Sequence, residues 1–391
     1  MKKTSAALRS IRRALPSAGL FRNFWIPKTR SALFKPTAAR VQPPSAKRRP
    51  RELRSQVFKT TPGEFTEHSF SSEAGTRTYK LYIPKTYARR RMPLIVMLHG
   101  CTQNPDDFAA GTRMNSLADA WGFLVVYPAQ SAGANLGRCW NWYRPHNQER
   151  DRGEPSLIAG ITREVASAYR VDERRIFIAG LSAGAAMSVI MGNTYADLFA
   201  AIGAHSGFAY RAADSFSSAL AAMRGNKGIV ADGADPMGAA PKSRASSVGA
   251  LPIIVFHGDL DKTIHMDNGS AIVAQAISNA VYCGIIDPLR NPMQERMSTN
   301  GRDHTNTVYY GRRMRPIIEH WVLHGGGHAW SGGSAKGSFT EVTGPDASAE
   351  MVRFFLSIKP KSYWQPFAHT WIARSSAFVR QTLRELSKAL A

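Results

Sequence analysis

Cysteine is scarce in this sequence: 391 residues contain three, Cys101, Cys139 and Cys283. That is too few for a scaffold built on disulfides, and none of the intervals between them suits a zinc or redox motif. No metal and no organic cofactor is expected. Long apolar runs are also missing, so no membrane-spanning helix is predicted. The first residues, M-K-K-T-S-A-A-L-R-S-I-R-R, are basic but broken by Arg9, Arg12 and Arg13. A secretory signal needs an uninterrupted apolar stretch there, and none occurs before residue 60. Acidic residues are nearly absent from the same region. Residues 1–60 hold 16 Lys or Arg and one acid, Glu52, so they carry +15 of the formal net charge of +23.

This placement of charge shapes the functional expectation. The excess is mostly a solvated basic arm, suited to an anionic surface such as a lipid, a nucleic acid or a charged granule. Residues 61–391 carry the remaining +8 and lack the signature of a nucleic-acid fold, so no specific nucleic-acid partner is expected. Composition divides the chain into an arm at 1–60, a catalytic domain at 61–358 and a basic amphipathic helical appendage at 359–391.

Within the central region, strands and helices alternate, the pattern of a mostly parallel sheet covered on both faces. The run 78–83 alternates and meets Pro84, which predicts an edge strand. Continuous apolar runs at 93–98, 123–127, 175–179, 199–204 and 252–256 predict strands buried on both sides. Helices are expected at 105–121, 156–169, 183–193, 268–281 and 346–357, and two last strands at 306–310 and 316–323. The segment 129–152 is a long loop, 208–250 a partly helical cap, and 284–304 polar and irregular.

Chemistry concentrates at strand ends. Gly180-Leu181-Ser182-Ala183-Gly184 follows a buried strand and opens a helix of small residues. This is the setting in which a sharp turn lifts a serine hydroxyl above a sheet. A serine is a weak nucleophile near neutral pH, so it needs a base and a group to orient that base. Downstream, the strand ending at Phe256 runs into His257-Gly-Asp259-Leu-Asp261. Asp261, slightly beyond the strand, is the expected acid, and Asp259 is expected to cap backbone amides of the turn. The base is expected at His328, between glycines in Gly325-Gly-Gly-His-Ala-Trp-Ser-Gly-Gly333. His99, His205, His257, His265 and His324 are read as structural or peripheral. The oxyanion would be met by the N–H groups of Ala183 and Cys101. Trp140, Trp142 and Trp330 are read as a flat apolar surface for substrate, against the alternative of loop packing. Cys101 and Cys139 lie in loops beside this site, and either bridge or remain thiols according to compartment. Cys283 is expected to be a buried, unbridged thiol.

The motifs H-G-C-T-Q at 99–103, C-W-N-W at 139–142, G-L-S-A-G at 180–184, H-G-D-L-D at 257–261 and G-H-A-W-S-G-G at 327–333 resemble the polyhydroxybutyrate (PHB) depolymerase family of esterases. The run G-P-D-A-S-A-E-M-V-R-F-F at 344–355 also resembles that family. The resemblance implies an α/β-hydrolase fold and hydrolysis of carboxylic esters, with poly- or oligo(3-hydroxyalkanoates) as nominal substrates. It carries the nucleophile to Ser182, the acid to Asp261, the base to His328 and the oxyanion N–H to Cys101. Similarity to feruloyl and acetyl-xylan esterases keeps plant esters open as an alternative. A surface-binding protein with a vestigial hydrolase core is the alternative from another class. The resemblance implies an extracellular location, while the N-terminal residues favour a cytoplasmic one.

Overall fold

The computed structural model describes residues 63–88, 90–225 and 250–358. The basic arm, the C-terminal appendage and part of the expected cap, residues 226–249, lie outside the described residues.

Strand β1 (Phe65–Ser72) pairs antiparallel with β2 (Gly75–Tyr82), and β3 (Met92–Leu98) follows. Helices α1 (Pro105–Thr112) and α2 (Met114–Trp121) lead to β4 (Leu124–Pro128). After a long loop come α3 (Gly153–Ala168), β5 (Val171–Leu181), α4 (Ala183–Thr194), β6 (Ala201–His205) and α5 (Phe216–Met223). Strand β7 (Ile253–Gly258), α6 (Asp267–Tyr282) and the strands β8 (Met293–Thr299), β9 (Arg302–Gly311) and β10 (Arg315–Leu323) complete the large sheet. Two short paired strands, β11 (Trp330–Ser331) and β12 (Thr340–Glu341), precede α7 (Ala347–Ser357).

The sheet order is β1-β2-β4-β3-β5-β6-β7-β10-β9-β8. The six strands from β4 to β10 are mutually parallel, and antiparallel strands close both flanks. Alternate side chains of the parallel strands feed two cores. Leu94, Val96, Ile176, Ile178, Ile253 and Val255 face one side, where α3, α4 and α6 pack. Ile95, Met97, Phe177, Ala179, Ile254 and Phe256 face the other, against α1, α2 and α7. Burial on both faces is why these strands read as unbroken apolar runs. This is the mostly parallel, doubly covered α/β architecture expected from the sequence.

Four local expectations are corrected. Strand β2 is not an edge, because β1 pairs along its whole length and Pro84 lies beyond the last pair. The single helix expected at 105–121 is two, broken at Arg113, whose φ of 55° is left-handed and cannot continue a helix. Residues 284–304 include β8, all seven of whose residues are exposed, so its sequence carries no apolar alternation to read. Cys283, at the end of α6, is half-buried rather than buried and takes no part in a disulfide.

Candidate active site

Strands β5, β6, β7 and β10 run parallel, so the loops after them gather at one end of the sheet. Ser182 stands between β5 and α4 with φ 58° and ψ −121°, a strained setting for a non-glycine residue. Its N–H donates to the His205 carbonyl at 2.9 Å, which continues the sheet ladder one residue past β5. Flanking glycines make the turn feasible. A Cβ on Gly184 would lie 2.1 Å from the Leu98 carbonyl oxygen, and one on Gly180 would lie 2.5 Å from Gly184 backbone atoms. The start of α4 thus abuts the end of β3, which no larger residue permits.

Asp261 follows β7 and its carboxylate is fully buried. One oxygen accepts the N–H groups of Thr263 and Ile264 at 2.9 and 2.8 Å. The other accepts from His328 Nδ1 at 2.7 Å. Burial pushes this carboxyl up, but the hydrogen bond and charge of His328, with the Ile264 N–H, outweigh it and hold the group below its ordinary value. The carboxylate therefore stays ionised, the imidazole is turned with Nδ1 toward it, and Nε2 is left for other work. Asp259 serves a different histidine: it accepts from His324 Nδ1 at 2.9 Å and from the Gly325 N–H at 2.7 Å. The loop that carries His328 is drawn close to β7 at its glycines. A Cβ on Gly258 would lie 2.3 Å from the Gly326 carbonyl oxygen.

The loop after β3 is pinned atom by atom. His99 Nε2 accepts the Gln130 N–H at 3.1 Å, so Nδ1 carries the proton and donates to the Gly100 carbonyl at 2.7 Å. In a trans peptide the carbonyl and the next N–H point oppositely. With the Gly100 oxygen held on the His99 ring, the Cys101 N–H is turned away from that ring. The Gly100 N–H donates to Gln103 Oε1 at 2.9 Å, and Gln103 is tied to Ser338 and Asp107. Among the described residues, neither the Cys101 nor the Ala183 N–H donates to a backbone carbonyl. Cys101 and Cys139 form a disulfide, with Cα atoms 4.2 Å apart, tying this loop to the long loop 129–152. Buried Glu154, at the start of α3, organises that long loop by accepting from Gln130, the Asn141 amide and the Asn141 N–H. Gln103, although it closes the H-G-C-T-Q motif, and Glu154 were given no role from the sequence, since the partners of each lie far along the chain.

The tryptophan surface is corrected. Trp140 and Trp330 are fully buried and Trp142 nearly so. Trp140 Nε1 donates to the His99 carbonyl, Trp330 Nε1 to Ser348 Oγ, and Trp142 stacks on Phe208 at 4.1 Å. Each indole is committed to holding a loop. The large apolar groups that are exposed here are Leu260, between the two aspartates, and Phe339, whose ring meets that of His328 edge-on at 6.5 Å. Of the other histidines, His99, His205 and His257 are buried. Burial is the chief cause that pushes the first two down to about 4 and about 3 and lowers the third. Among the described residues, no group of acidic, histidine and cysteine side chains could hold a metal.

Comparison with known proteins agrees with this architecture. Residues 77–291 match the family model described as esterase PHB depolymerase. Poly(3-hydroxyalkanoate) depolymerase C of Paucimonas lemoignei is 31% identical over 237 residues, 60% of this chain and 54% of that protein. The chain thus spans about half the length of that relative. Acetylxylan esterase A of Talaromyces purpureogenus is 26% identical over 69% of this chain and 71% of its own length. Among solved structures, an acetyl xylan esterase from Aspergillus awamori superposes with a TM-score of 0.56 at 20% identity, covering 75% of this chain and 99% of that one. That likeness concerns the fold, which is the α/β-hydrolase fold. Matched across more than half its length, the chain belongs to the PHB depolymerase family of esterases.

Proposed function

We propose that this chain is a serine esterase acting through an acyl-enzyme, with Ser182 as nucleophile, His328 as base and Asp261 as the group that orients and charge-balances the base. The observation that carries this is the His328 Nδ1–Asp261 hydrogen bond of 2.7 Å at the strand ends that also present the strained Ser182 turn. Ser182 Oγ attacks the ester carbonyl while His328 Nε2 takes its proton. The carbonyl oxygen becomes an oxyanion, met by the N–H groups of Cys101 and Ala183, the latter at the N-terminus of α4. Collapse breaks the bond to the leaving oxygen, which receives the proton from His328 and departs as an alcohol. Water then attacks the acyl-serine, giving its proton to His328, and the carboxylic acid leaves as Ser182 is re-protonated.

For substrate, we favour oligo- or poly(3-hydroxyalkanoate) esters, in line with family membership and the depolymerase relative. The acetylxylan esterase relative supports acetylated xylan as the second reading. The test is hydrolysis of a 3-hydroxybutyrate trimer and of acetylated xylo-oligosaccharides by wild type and Ser182→Ala. Trimer cleavage that disappears in the variant is the expected result. Cleavage of the sugar ester alone moves the substrate and keeps the mechanism. Undiminished turnover by Ser182→Ala refutes the mechanism.

A further inference from the structure

His205, the last residue of β6, takes no part in the chemistry above, yet it touches both sides of it. Its main-chain carbonyl accepts the Ser182 N–H at 2.9 Å. Its imidazole is fully buried, and Nε2 accepts the N–H of Ser331 at 3.2 Å, three residues beyond His328. Because Nε2 accepts, Nδ1 carries the proton, and it lies 3.3 Å from Ser206 Oγ. The ring is stacked between Phe256 of β7, at 5.7 Å and 11°, and Trp330, at 5.2 Å and 25°.

The loop that carries His328 is held on both sides of that residue, downstream also by the pairing of β11 with β12 and by the Trp330 indole on Ser348. Upstream, the Leu260 N–H donates to the Gly326 carbonyl, and the Asp259 carboxylate takes the Gly325 N–H. Downstream, the Ser331 N–H is held by His205, and the Ser331 hydroxyl donates to the Pro345 carbonyl at 2.8 Å. Upstream contacts fix the loop to the strand that precedes Asp261. The Ser331 N–H bond and the Trp330 ring stack tie it instead to His205, the residue that also holds the nucleophile's amide.

We propose that His205 is a positioning residue for ester hydrolysis, setting the separation of Ser182 and His328 by gripping the nucleophile through its main chain and the base loop through its neutral imidazole. This rests on the serine-esterase reading. Its ring must remain an acceptor while His328 gains and loses a proton. Burial, with the nearby His257 and His328, holds His205 down to about 3, so it stays neutral through turnover.

The test uses the full chain, a soluble p-nitrophenyl ester, and active sites counted by stoichiometric release from a p-nitrophenyl phosphonate. His205→Phe keeps a ring between Phe256 and Trp330 and removes the acceptor. A displacement of the base by about 1 Å predicts a fall of about 100-fold in kcat per counted site, with KM changed by less than about twofold. His205→Gln, whose side-chain oxygen reaches the Nε2 position, should recover at least about tenfold of that loss. Should the Phe variant not fold, the near-isosteric pair His205→Met and His205→Gln makes the same comparison, without and with the acceptor. A kcat per counted site within about threefold of wild type in the acceptor-free variants overturns the proposal, as does a Gln variant no faster than they are. Failure of the phosphonate to label wild type would instead overturn the esterase reading, and the positioning role with it.

Discussion

Acid should destabilise this fold well before its carboxylates are neutralised, and three buried histidines set the size of the effect. An ordinary histidine titrates at 6.5; burial chiefly holds His99 and His320 down to about 4 and His205 to about 3. A group with a depressed folded value binds its proton in the unfolded chain first. Stability is therefore intact above 6.5 and lost as pH falls toward the folded values. In the middle of that window the unfolded chain holds about three more protons than the native state, a slope of about 4 kcal/mol per pH unit. Integrated from pH 7 to pH 5, the loss is about 6 kcal/mol, as large as the whole stability of many domains. His257, also lowered, acts in the same direction. Asp261 does not enter this window: its value lies below the ordinary 3.8, so its contribution is lost only at lower pH. Urea unfolding followed by circular dichroism at pH 7, 6 and 5 checks this, with the midpoint expected to fall at constant m-value. His320→Gln, which leaves Ser182, Asp261 and His328 unchanged, should remove about one third of the slope. A midpoint that is flat or rises between pH 7 and pH 5 would show that these histidines are not buried and neutral as described.

Other perturbations separate chemistry from packing. Asp261→Asn should lower kcat by about 10⁴-fold while the fold persists, because an amide no longer enforces the required imidazole tautomer; steady-state hydrolysis of a soluble ester measures it. Gly184→Ala forces a methyl group to within 2.1 Å of the Leu98 carbonyl oxygen and 2.6 Å of the His99 carbonyl oxygen. It should cost about 1–3 kcal/mol or more, read as a lower Tm, because both obstacles are backbone atoms. Reducing the Cys101–Cys139 bridge opens a link between residues 38 apart and should remove about 4 kcal/mol on the loop-entropy model. A reductant titration followed by thermal unfolding tests this, and an unchanged Tm would contradict it.

How much of this could be read beforehand depends on whether the information is local. Ser182, Asp261 and His328 each lie in a short segment whose pattern declares it: a buried strand into glycine-flanked serine, a buried strand into an acidic turn, a histidine among glycines. Even the choice between two aspartates had a local basis, and they face different histidines, His328 and His324. The misreadings were also local in origin. An indole in a loop looks the same whether it stacks on a partner, as Trp142 does on Phe208, or lies bare. A wholly exposed strand such as β8 shows no alternation. What no window of sequence contains is the pairing of distant residues: Gln103 with Ser338 across 235 positions, or the His205 ring with the Ser331 N–H across 126. The proposed reacting groups are thus specified locally, while the distances between them are specified by contacts that only folding creates. Substitution of the first kind should abolish turnover. Substitution of the second should leave every reacting group in place and slow the reaction by misaligning them.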